Sequence, residues 1–131
     1  MNRHPSFHAY LYGAAGGPLT ANFDDLAERL PQIPRLFFEL DGSLVWTGPD
    51  WQVDAMIYDR GGVVQYVDIK GRCPRSRWRE LVGWLTDDSR NDPTPSVSIL
   101  SLPDRLLHDL QSFEEAVWPQ GELPSDISRA D

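Results

Sequence analysis

In WQVDAMIYDRGGVVQYVDIKGR, residues 51–72, two runs of alternating hydrophobicity flank a pair of glycines. Val53, Ala55 and Ile57 alternate with Gln52, Asp54, Met56 and Tyr58. Val67 and Ile69 alternate with Tyr66, Asp68 and Lys70. A period of two puts the apolar set on the core face of each strand and the polar set on the other. The segment predicts an antiparallel hairpin folded over Arg60-Gly61-Gly62.

Turn length sets which polar residues become neighbours, because directly opposed residues share a face. A two-residue turn at Gly61-Gly62 puts Asp54 opposite Ile69 and mixes polar with apolar positions. A three-residue loop of Arg60, Gly61 and Gly62, with a glycine at positive φ, restores the match. It predicts Asp54 opposite Asp68 and Gln52 opposite Lys70, which gathers two carboxylates and an ammonium on one face.

Upstream, Leu36, Phe38 and Leu40 alternate with Phe37 and Glu39, and Asp41-Gly42 marks a turn into Leu44-Val45-Trp46. The expectation is a meander of three or four strands over about 35–70. Before it, Asn22 caps a helix over about 22–30 with Phe23, Leu26, Ala27 and Leu30 on one stripe, stopped by Pro31. Phe7 to Tyr12 suggests an edge strand and the glycines at 13, 16 and 17 a flexible linker, so residues 1–21 form an N-terminal segment.

Downstream, Pro74 suits the start of a helix over about 75–85 whose stripe is Trp78, Leu81, Val82 and Leu85. A polar loop spans 86–95, and Val97 and Ile99 mark a strand over about 96–101. Ser101 and Pro103 open a third helix, about 102–117, carrying Leu106, Leu110, Phe113 and Val117; residues 119–131 form an acidic tail. The fold class is α+β: one globular domain over 22–118, an antiparallel sheet of four or five strands and three helices.

The 131 residues include five Trp, five Phe and four Tyr, with 40% hydrophobic content, which supports a packed core. No stretch approaches the roughly 18 apolar residues of a membrane span, and the N-terminus lacks a secretory h-region. One cysteine excludes an internal disulfide and fits a reducing compartment, so a cytoplasmic protein is expected. The formal net charge of −8 opposes non-specific binding to nucleic acid or anionic membrane. Lys70, Arg72, Arg75, Arg77 and Arg79 nevertheless fall within ten residues, which predicts a local basic patch.

The element order together with Asp54…Asp68-Ile69-Lys70 resembles the PD-(D/E)XK nuclease superfamily over about residues 22–101. The resemblance implies magnesium held by Asp54 and Asp68, with Lys70 as the catalytic lysine and Glu28 as the first-helix acid. Arg72, Arg75, Arg77 and Arg79 would then neutralise phosphates of a nucleic acid. The chain has Val53 where that family has proline before the first acid. Separately, Cys73-Pro74-Arg75-Ser76 at a helix start resembles the Cys-Pro-x-Ser of monothiol thioredoxin-fold proteins, which implies a redox thiol at Cys73. Its place after an antiparallel hairpin departs from that fold, and a small cysteine packed under the helix is the plainer expectation.

The reading set first is non-catalytic: a partner-binding or accessory domain with no cofactor. Its partner is another protein, docked on a sheet face carrying Met56, Tyr58 and Tyr66, with Trp84 as an exposed aromatic off its helix stripe. The histidines 4, 8 and 108 have no metal-ligand spacing.

Overall fold

Gly61 and Gly62 take φ of 60° and 90°, the pair of positive values that a two-residue hairpin turn demands. Arg60 accordingly lies opposite Val63, and Asp59 Oδ2 accepts from the Gly62 amide at 3.0 Å. The expected three-residue loop is therefore not formed. A bulge then inserts Gln65, so that Asp59 opposes Val64 but Tyr58 opposes Tyr66. The extra residue restores parity: Ala55 meets Ile69 and Ile57 meets Val67. It also moves the pairing two residues from the expected one, setting Asp54 opposite Lys70, Met56 opposite Asp68 and Gln52 opposite Arg72.

The computed structural model describes residues 4–86 and 97–119; the rest of the loop expected at 86–95 and of the acidic tail lies outside them. The hairpin strands are β4 (Gln52–Arg60) and β5 (Val63–Arg72). With β1 (Ser6–Gly13), β2 (Leu36–Phe38), β3 (Ser43–Thr47), β6 (Val97–Ser101) and β7 (Leu106–His108) they form one antiparallel sheet. Its order is β2-β3-β4-β5-β1-β6-β7. The fold is α+β, with three helices: α1 (Phe23–Arg29), α2 (Arg75–Thr86) and α3 (Leu110–Val117).

Three expectations are corrected. The Phe7–Tyr12 run is not an edge strand but sits between β5 and β6, so the domain includes the segment before residue 22. The glycine stretch after it is a 3₁₀ turn, pinned where Ser98 Oγ accepts from the Gly16 amide and donates to the Gly13 carbonyl. The third helix starts at 110 rather than 102, because Asp109 accepts from the Ser112 amide and so caps it. Leu106–His108 instead pair with Ile99–Ser101 as the edge strand β7.

The helix stripes behave as their spacing predicts. Asn22 Oδ1 accepts from the Asp25 amide at 2.8 Å, and a 3₁₀ turn at Leu30–Gln32 ends the first helical segment at Pro31. Leu26, Trp78, Leu81, Val82, Leu85, Leu110 and Phe113 are all buried. They join Ala9, Leu11, Val53, Ile57, Val67 and Ile69 in one core, so all three helices lie on one face of the sheet. Phe7, Trp78, Phe113 and Trp118 pack edge to face or tilted at its centre.

One ion pair crosses this layer. Glu114 on α3 is fully buried and accepts from Arg75 Nε at 2.9 Å, and from Arg79 through Nε at 2.7 Å and a terminal nitrogen at 2.6 Å. Glu114→Gln turns an amide N–H toward two guanidinium groups. We expect it to cost about 2 kcal/mol of unfolding free energy, the partial exposure of both arginines tempering the loss. Urea denaturation of the two proteins measures it.

Candidate functional site

None of the three helices covers the other face of the sheet, which the 3₁₀ turn at Ala14–Gly16 reaches at Ser98, and the strand register lays that face out in rows. One row runs Tyr58 on β4 to Tyr66 on β5, with Tyr12 of β1 beyond it. The next is Ser43, Met56, Asp68, Tyr10 and Leu100. A third is Val45, Asp54, Lys70 and His8, and a fourth Thr47, Gln52, Arg72 and Ser6. The face is aromatic at one end and charged at the other.

All four tyrosines of the chain belong to the aromatic end. Tyr66 is its centre: its ring lies 4.8 Å from Tyr58 in a stacked pair, 5.1 Å from Tyr10 and 5.4 Å from Tyr12. Such contacts contribute roughly 0.5–1.5 kcal/mol each beyond the area they bury, which holds the rings as a preformed platform. His8, whose ring lies 6.1 Å from Tyr10, hydrogen-bonds Asp68 Oδ1 through Nε2 at 2.7 Å.

The expected acid–acid–lysine cluster is rearranged. Asp54 faces Lys70 directly, whereas Asp68 is its diagonal neighbour and is engaged by His8. Diagonal positions on a sheet are about 7–8 Å apart, against about 5 Å for opposed ones. Asp54 Oδ1 also accepts from Gln52 Nε2 at 2.9 Å. Glu28 belongs to α1 and lines a cleft on the helical side with Trp46, so it does not join Asp54 and Asp68. Among the described residues no group of three or more His, Cys, Asp or Glu is placed to hold one metal ion.

The basic run disperses as well. Residues 75, 77 and 79 lie on a helix at about 100° per residue, so the first and third share a face and the second points away. Arg75 and Arg79 hold Glu114, while Arg77 pairs with Glu80 and lies over the Trp51 ring. Arg72 stays exposed at the end of β5. Trp84, expected to be exposed, is half-buried at 5.0 Å from Trp46. Cys73 is fully buried, and Trp118 Nε1 donates to its carbonyl at 3.0 Å; a thiol so enclosed acts as a small core side chain.

Sequence reasoning missed His8, Tyr10 and Tyr12 as site residues. The signal was present, since these alternate with Phe7, Ala9 and Leu11. Placing their strand at an edge hid that they border Tyr66 and Asp68. Comparison with known protein families, curated proteins and solved structures found no match.

Burial is the largest influence on the Tyr66 phenol and raises its pKa above the ordinary 10.0, with Tyr58, Tyr10, Tyr12 and Asp68 adding to the shift. A folded-state pKa above the unfolded one stabilises the fold fully below about pH 10 and is lost as pH rises through the folded value. Tyr66→Phe should therefore remove a late phenolate step, above the ordinary tyrosine range, from the absorbance titration.

Proposed function

We propose that this chain is a protein-binding domain that docks its partner on the outward face of the sheet. The observation that carries the proposal is the convergence of all four tyrosines around Tyr66 on a face that no described helix covers. Tyrosine and methionine are enriched at the centres of protein interfaces, where a ring supplies large contact area at low entropic cost and its hydroxyl a hydrogen bond. Met56 adjoins this platform, and Asp54, Lys70 and Arg72 offer charges of both signs beside it. That mixture suits a folded protein surface better than a polyanion, which a chain of net charge −8 repels.

Affinity capture on the wild-type chain and on a Tyr10→Ala/Tyr58→Ala variant, followed by NMR mapping with the captured protein, tests the proposal. We expect a partner held at least about tenfold less well by the variant, since hot-spot truncations cost upward of roughly 1.4 kcal/mol. Its amide perturbations should cluster on β1, β4 and β5. Equal retention by both chains, or perturbations confined to the helical side, would sink the idea.

The magnesium-dependent nuclease alternative draws on Asp54, Asp68 and Lys70 sharing this face. Manganese separates the two readings. Binding through Asp54 and Asp68 would broaden their amide signals at millimolar metal, and the protein-binding reading expects both to stay sharp.

A further inference from the structure

The outward face of the sheet matches itself when turned end for end. We infer that the partner it docks is a second copy of this chain, placed face to face about a two-fold axis that crosses the strands along Ala55, Ile69 and Ala9. The inference rests on the protein-binding reading above and names the partner.

The strand register supplies the argument. Ala55, Ile69 and Ala9 stand side by side on β4, β5 and β1, with their side chains in the core. A half-turn about that line exchanges residues equally far on either side of it. Asp68 then meets the second copy's Lys70 and Tyr66 meets its Arg72, each contact made twice by symmetry. A half-turn along β5 itself would instead set Asp68 on Asp68 and Lys70 on Lys70, and like charges so placed repel. Aligned sheets packed face to face cross at about 30°. Arg72, about 10 Å from the axis, is thereby displaced by about one strand spacing. It still lands on a ring, because Tyr58 and Tyr12 flank Tyr66.

The groups that meet are the ones the fold itself leaves unused. Lys70 and Arg72 are exposed and enter no ion pair among the described residues. Asp68 gives Oδ1 to His8, and its Oδ2 has no partner among the described residues. A carboxylate oxygen accepts from an ammonium, and a guanidinium is drawn to the face of an aromatic ring. Asp54 and Asp68 also cancel Lys70 and Arg72 in charge, so two copies meet at a neutral patch although each chain carries −8.

The area is sufficient. The strands from β3 to β6 lie about 4.8 Å apart and their four outward rows about 6.8 Å apart, a footprint of roughly 650 Å². Two copies would bury about 1,300 Å², above the roughly 1,000 Å² that a specific interface needs. Phe37 and Leu107 continue the rows onto β2 and β7, and at 66% and 58% exposure they add apolar area at both edges.

Sedimentation equilibrium on the full chain should show a dimer with a Kd of about 10 μM or tighter. Lys70→Glu places acid against acid at both symmetric contacts and should weaken the dimer at least about tenfold, and Arg72→Ala should weaken it about fivefold. Both positions are exposed, so the fold survives either change, as circular dichroism will verify. In a mixture of labelled and unlabelled chains, isotope-filtered NOEs should join the Arg72 side chain to the rings of Tyr58, Tyr66 or Tyr12. Within one chain Arg72 lies three rows from them, about 20 Å, so such a signal arises only between copies. A chain that stays monomeric at about 100 μM overturns the inference, while affinity capture still decides the broader protein-binding reading. A dimer that both variants leave intact, or one without those NOEs, overturns it as well.

Discussion

The structure depends on one inserted residue. The two glycines after Arg60 close the hairpin in two residues, and a two-residue turn alone would set odd positions of β4 against even positions of β5. Gln65 absorbs the mismatch. The competing terms are unequal. A bulge forfeits about one ladder hydrogen bond, a net loss of roughly 0.5–1.5 kcal/mol. Slipping β5 by one residue would instead turn Val67 and Ile69, both at 0% exposure, toward the open side, at roughly 1.5–3 kcal/mol each. Burial wins, and with it the outward placement of Asp54, Asp68, Lys70 and Arg72.

From that register the rest of the molecule follows. β1 docks on the free edge of β5, pairing Ala9 with Ile69 and Leu11 with Val67, and so carries His8 and Tyr10 to the same side as Asp68. The helices can add only to the apolar side, because each has a single buried stripe. Sheet and helices together make two layers. The tyrosine face and the tryptophan cleft lie on opposite sides of the sheet, each formed from residues far apart in sequence.

Local chemistry was legible wherever the sequence itself settled the matter. Asn22 as a cap, Pro31 as a stop, the stripe of α2 and the alternation in β2, β4 and β5 all follow from spacing and side-chain type. The failures share a different cause. Strand order puts β1 inside the sheet, between β5 and β6, and no local feature of Phe7–Tyr12 carries that information. The turn and the bulge are separate events that a single assumed loop length conflated. Leu106 fits a helical stripe, yet the Asp109 cap and pairing with β6 decide against it. Of the candidate site, Met56, Tyr58 and Tyr66 were visible because they alternate within one hairpin; the three β1 residues beside them required tertiary pairing.

The five cationic residues between positions 70 and 79 show the same rule from the other direction. In a strand, alternate residues share a face, so Lys70 and Arg72 stay on the side where β5 places them. Once the chain turns helical at Arg75, every second residue is thrown to the opposite side. Arg75 and Arg79 meet across one turn and find a buried carboxylate; Arg77 is turned to a tryptophan wall. A run that is dense in the sequence thus becomes three separate environments: an outward strand end, a structural ion pair and the rim of a cleft. Proximity along the chain makes a surface only when the secondary structure's period agrees with it, and here the agreement holds for the tyrosines but not for the arginines.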